Sequence, residues 1–166
     1  MAPGPRRQPL SRSARVALLL EVLLSIGALG GGLVLILAPR GEIMPPPLSA
    51  LAGSPFDTYF VPGLILFGVL GVGPLVAARL AWLGHSLASV ATFVVGSALL
   101  IWVAVEIAII GYSNQPPLQA IYLVLALAIL VAALGQLGER AERPDRAANR
   151  PVSPDGLPGG SAGPGY

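Results

Sequence analysis

The sequence predicts an all-α fold: a four-helix transmembrane bundle with disordered termini. Three observations predict it. Hydrophobic residues make up 54% of the chain and charged residues only 11%, with a mean hydropathy of +0.76, whereas a soluble domain carries about a quarter charged residues. The charge that exists gathers at the two ends. Between Val16 and Leu137 the only ionisable acids and bases, tyrosines aside, are Glu21, Arg40, Glu42, Asp57, Arg79, His85 and Glu106. Finally, four apolar stretches each reach the roughly 20 residues that a helix needs to cross the hydrocarbon core.

The first stretch runs from about 16 to 37, VALLLEVLLSIGALGGGLVLIL. Its basic leader and Ala28-Leu29-Gly30 resemble a secretory signal with a cleavage site. The apolar run continues past that point, however, and Glu21 interrupts it, so a retained membrane helix is the better reading. The second runs from about 59 to 83, the third from about 87 to 112 and the fourth from about 118 to 137. None has a polar stripe, as expected of helices surrounded by lipid. Gly71-Val72-Gly73-Pro74 should bend the second span. The prolines at 45–47 should form a short polyproline II stretch in the long connection before it. Residues 1–14 and the Pro-, Gly- and Arg-rich tail, 139–166, are expected to be largely disordered.

Arginine placement gives an orientation. Arg6, Arg7, Arg12 and Arg15 precede the first span, Arg140, Arg143, Arg146 and Arg150 follow the last, and Arg79 precedes the short turn Gly84-His85-Ser86. The positive-inside rule then places both termini in the cytoplasm and the protein in the cell inner (plasma) membrane. Tyr59, Phe60, Tyr112 and Tyr122 would mark the outer interface and Trp82 the inner one. Small residues, among them the Gly27 and Gly31 pair, Gly63, Gly71, Gly96, Ala128 and Ala132, offer the surfaces on which helices approach closely in lipid.

Polar residues within the spans are the candidate functional positions, because an ionisable group at membrane depth is costly and normally faces protein or a water-filled cavity. Glu106 lies about six residues from the outer end of the third span, with Trp102 one turn earlier on the same face. It reads as a proton or cation site or as half of an interhelical hydrogen bond to Tyr112, Tyr122 or Gln119. Glu21 and Arg79 fall at similar depth on the first two spans and are expected to form an intramembrane ion pair, unless Arg79 snorkels to the headgroups.

Chemistry that the sequence leaves without a candidate is equally informative. Cysteine is absent and there is a single histidine, so disulfides, thiolate metal sites and cysteine nucleophiles have no residues to form them. No Gly-rich phosphate loop or HExxH motif is present. Neither cofactor nor metal nor nucleic-acid partner is expected, and the protein is not expected to be an enzyme.

Three segments together, SPFDTYFVPGLILF at 54–67, WVAVEIAIIGY at 102–112 and PPLQAIYLVLALAIL at 116–130, resemble a group of small bacterial four-span membrane proteins. Members carry an S-P-F-x-D-x-x-x-P-G entry to span two, an acid or amide after the span-three Trp, and a Leu-Gln-x-x-Tyr entry to span four. Here Asp57 stands one position early and Thr58 takes the place of the acid. The resemblance implies the fold and the membrane location, without an activity. It also implies that Asp57, Pro62, Glu106, Gln119 and Tyr122 cluster at the outer end of the bundle. A Glu in the first of four short spans is, separately, similar to the small multidrug resistance transporters, in which that acid couples protons to cationic substrates. The aromatic pattern of their later spans is missing here, and the long proline-containing loop is additional. The expected function is therefore a structural or accessory membrane component, surrounded by lipid and associated with itself or with a larger membrane complex. The alternative is a small oligomeric proton-coupled transporter or channel using Glu106 or Glu21.

Overall fold

A computed structural model describes residues 10–43, 48–112 and 117–148. The expected proline stretch at 45–47, the turn at 113–116 and the chain ends before Leu10 and after Ala148 lie outside the described residues. Within the described residues the fold is all-helical. Four helices are long and apolar enough to cross a membrane: Arg12–Leu37, Phe60–Trp82, Ala88–Ile110 and Leu118–Ala141. No more than 28% of the apolar stretch of any of them is buried in the bundle. Leu19, Leu23, Ile26, Ile101, Val124 and Val131 are among the large side chains left on the outside. A surface of this kind is stable in a bilayer, where lipid tails take the place of water.

Helix α1 (Arg12–Leu37) starts because the Ser11 side chain caps it, accepting the Ala14 amide at 3.2 Å. The second span is built in three parts: α2 (Phe60–Ile65), a π-helical segment (Leu66–Val72) and α3 (Gly73–Trp82). Pro74 supplies the reason. It has no amide to give to the carbonyl one turn back, and its ring crowds that carbonyl. The chain absorbs the mismatch by lengthening the turn before it, so that the Gly73 amide reaches the Gly68 carbonyl five residues back. The bend expected at 71–74 is this bulge. Ser25 of α1 donates its hydroxyl to the Gly71 carbonyl, re-satisfying backbone beside the irregularity in the way that lipid-embedded helices require. Helix α4 (Ala88–Ile110) follows a tight turn in which Gly84 takes a positive φ of 67° and the His85 Nδ1 accepts the Leu87 amide at 3.1 Å. Helix α5 (Leu118–Ala148) returns the chain.

The helices form a ring in up-down order, with α1 beside both the second span and α5, and α4 beside α3 and α5. The described residues therefore begin and end at one end of the bundle, here the terminal end; the α1–α2 and α4–α5 connections are made at the other, the distal end. Leu24, Ala28, Leu70, Ala77, Val95, Leu99, Val103, Ala126 and Ile129 make the core. Close approach depends on glycines at the contacts, Gly32, Gly63, Gly71 and Gly96 among them. A Cβ on Gly32 would stand 2.6 Å from the Phe67 backbone nitrogen, and one on Gly96 would stand 2.9 Å from Leu130.

Two expected boundaries shift. Helix α1 begins before residue 14, at its Ser11 cap, and α5 runs on through residues 139–148, where disorder was expected. The extension begins on tertiary contacts: Ser13 donates to the Glu139 carboxylate at 2.8 Å, and Arg140 donates to the carbonyls of Ser86 and, at 3.1 Å, of His85. The first turn after the apolar run is thus tied to α1 and to the α3–α4 turn.

Candidate functional site

The π-helical bulge has a consequence at the distal end. Whereas α3 packs along α4, α2 makes no contact with it, so the second span and α4 diverge beyond the bulge. Between them lies a cavity of about 500 Å³. Its back is formed by Leu35 of α1, Leu70, Ala98 and Trp102, and its roof by Leu51, Phe56 and Tyr59 from the connection before α2. The rim residues Ile65, Val69, Ile101 and Val105 are exposed on the lipid-facing side. Among the described residues, Glu106 is the one charged side chain that lines it.

Glu106 is half-buried, and the side chains of Gln119 and Trp102 both lie against its carboxylate within hydrogen-bonding reach. Trp102 is there because it precedes Glu106 by one helical turn. Gln119 is there because the α4–α5 connection returns α5 directly beside α4. Its amide is buried and also donates to the Gly111 carbonyl at 3.0 Å, which satisfies backbone freed where α4 ends at Gly111 with a φ of 80°. Pro62, the position carried over from the family resemblance, lines the same cavity.

The remaining expected members separate from this trio. Asp57 is exposed, since its neighbour Phe56 turns into the cavity and leaves it on the solvent side. Tyr112 is 57% exposed. Tyr122 packs on the core, with its hydroxyl 3.3 Å from where a Cβ on Gly27 would stand, so it faces α1 instead of Glu106.

The expected Glu21–Arg79 ion pair is not formed. Similar depth is not enough, because the two side chains point to different sides. Leu75, Val76, Arg79 and Trp82 are all exposed and form one outward face of α3, continued by Leu83 at its cap, while Ala77, Ala78 and Ala81 face the bundle. Glu21 is 0% exposed. The Thr92 hydroxyl lies beside its carboxylate but donates to the Ala88 carbonyl at 3.0 Å. Neither Glu21 oxygen has a hydrogen-bond partner among the described residues. Sequence reasoning singled out Glu21 and missed Thr92 beside it, as well as Ser89 and Gln136, which are also buried in the terminal half. The available signal was their polarity inside apolar spans, with Ser89 and Thr92 spaced to share a helix face.

No group of three or more His, Cys, Asp or Glu side chains that could hold a metal ion occurs among the described residues. Compared with known proteins, the chain matches no family model, no curated protein and no solved structure.

Proposed function

We propose that this multi-pass membrane protein is a non-enzymatic accessory component of the bilayer that holds an amphipathic lipid in the cavity beside Glu106. The observation that carries the reading is the combination of an apolar, lipid-facing cavity with one carboxylate at its edge. An acyl chain would lie between Val69 and Ile101 against Ala98 and Trp102, burying apolar surface on both partners. A head group with a hydrogen-bond donor or positive charge would reach Glu106, which Gln119 and Trp102 hold in place. Ligand sites of this class are mostly apolar with a few fixed polar groups. The arginine distribution supports both termini in the cytoplasm, which would put the cavity in the outer half of the membrane.

The transporter reading is less well supported. It requires a path for a substrate to Glu106 or Glu21, whereas the cavity beside Glu106 is apolar and its rim faces lipid, and Glu21 is 0% exposed with no cavity of that size beside it among the described residues. The lipid reading is tested by reconstitution with a phospholipid that carries a photoactivatable acyl chain, followed by mapping of the adducts. Adducts should concentrate on Leu35, Ala98 and Trp102, and Ala98→Phe should remove them while leaving those at Leu19 and Val131. Equal labelling of all lipid-facing positions, unchanged by Ala98→Phe, would overturn the proposal.

A further inference from the structure

The terminal half of the bundle holds a second polar centre, which the lipid-binding reading does not use. Glu21 of α1, Ser89 of α4 and Gln136 of α5 are respectively 0%, 0% and 4% exposed. Both Glu21 oxygens, the Ser89 hydroxyl and the Gln136 side-chain nitrogen are buried with no hydrogen-bond partner among the described residues. An orphaned polar group in the interior costs about 1–3 kcal/mol, and more when charged. Four such atoms on three adjoining helices therefore point to an occupant that pairs with all of them.

Their arrangement indicates what it is. Thr92 lies beside Glu21, and Ser89 is one turn nearer the terminal end on the same face of α4. Gly96 packs against Ile129 and Leu130, so two turns further towards the terminal end the antiparallel register brings Ser89 level with Gln136. Gly135, next to Gln136, packs against Ser13, whose hydroxyl donates to Glu139 where α5 leaves the apolar span. The polar groups thus descend in steps from Glu21, through Thr92, Ser89 and Gln136, to the end of the bundle. They combine the Glu21 carboxyl, a donor (the Gln136 amide), the Ser89 hydroxyl, which can donate and accept, and the Thr92 hydroxyl, which donates to Ala88 and can accept. Water is the ligand that matches such a mixed set, and buried waters typically make about three hydrogen bonds to groups otherwise unsatisfied.

We infer that Glu21, Thr92, Ser89 and Gln136 hold a short file of water molecules that connects the Glu21 carboxyl to the aqueous phase at the terminal end. Along it Glu21 exchanges its proton. The carboxyl O–H gives its proton to the adjacent water as that water returns another, so the net change is replacement of one hydrogen by another. Among the elements packed around Glu21, α4 presents Thr92 and Ser89 and no charged group on this side, and α5 presents Gln136 with Glu139 and Arg140 beyond it. Arg79 of α3 and Arg15 of α1 are exposed and face outward.

Infrared spectroscopy of the full-length protein in bilayers, transferred from H₂O to D₂O, tests this. The carboxylic C=O band lost in Glu21→Gln identifies the group. That band should shift within the mixing time in the native protein. Ser89→Ala and Gln136→Leu, each removing one polar step, should slow the shift by about tenfold or more. Ser89→Ala removes only a hydroxyl, so it keeps the test valid if Gln136→Leu fails to fold. Three outcomes would overturn the inference: no Glu21 carboxylic band, a band that exchanges only on unfolding, or an exchange rate that Ser89→Ala leaves unchanged. None of them bears on the cavity beside Glu106.

Discussion

Gly32→Ala is a one-carbon change whose effect follows from the helix spacing. The added Cβ would stand 2.6 Å from the Phe67 nitrogen and 2.8 Å from its Cα and Cβ. Contacts with backbone cannot be relieved by a rotamer change, so α1 and the π-helical segment must separate by most of an ångström. Overpacking of this kind costs about 1–3 kcal/mol. Alanine offsets part of it, since it favours helix over glycine by about 1 kcal/mol. Gly30 is the control: it lies in the same helix, and a Cβ there meets nothing within 4 Å. Gly30→Ala therefore carries the propensity gain without the clash, and the difference between the two variants isolates the steric cost at about 1–3 kcal/mol. Equilibrium unfolding in bicelles measures both. Gly32→Ala should fall below the native protein by up to about 2 kcal/mol, and Gly30→Ala should equal or exceed it. Two variants of equal stability would refute the packing of α1 on the bulge.

Pro74→Ala restores an amide and should let the π-helical turn tighten, which narrows the distal cavity; photolabelling of Trp102 by an acyl probe should decline with little loss of stability. Arg140→Ala removes the donors to the His85 and Ser86 carbonyls; exposed as the site is, a loss of no more than about 1 kcal/mol is expected, with faster amide exchange confined to the α3–α4 turn. Because the chain has no cysteine, single cysteines at Ser49 and His85 can report topology without background. Orientation with the termini inside predicts that an impermeant thiol reagent labels the first and spares the second in intact cells. Glu21→Leu replaces a buried group that has no protein partner and should be neutral or stabilising by about 1–4 kcal/mol. Glu106→Leu removes the carboxylate that lies against Gln119 and Trp102 and should cost about 1–3 kcal/mol, so the reverse order in unfolding measurements would count against the assignment of partners.

The four spans were legible because membrane crossing is decided by hydropathy summed over some 20 residues, and no single neighbour can reverse that sum. The bend of span two was legible too, since Gly73-Pro74 breaks the ladder wherever it stands. Its direction was not. That α2 swings away from α4 and opens a cavity depends on the close approach of α1 to the second span at Gly32 and Gly63. The pairing of Trp102 with Glu106 follows from helix spacing alone, whereas Gln119 reaches Glu106 only because two helices meet. The Glu21–Arg79 expectation failed for a related reason. Sequence position gives depth, but the angle around a helix axis is set by packing, and Arg79 shares its face with Leu75, Val76, Trp82 and Leu83. Residues 139 and 140 were misread because their order comes from partners on other elements.

The two intramembrane acids differ in a way that bears on why each is kept. Glu106 lies against the side chains of Gln119 and Trp102, so a structural role alone could account for it; only the adjoining cavity asks for more. Glu21 is the opposite case. Nothing among the described residues leans on its oxygens, and an apolar side chain of similar volume would fill the same space without the cost of burying a carboxyl. Packing therefore gives no reason for an acid at this position. If Glu21→Leu folds and is at least as stable as the native protein, the acid is retained at a cost in stability, and what it binds or exchanges becomes the question to ask of the terminal half. The distal cavity and the Glu21 centre are then separable: filling the first with Ala98→Phe should leave proton exchange at Glu21 untouched, and closing the second with Ser89→Ala should leave acyl labelling at Trp102 untouched.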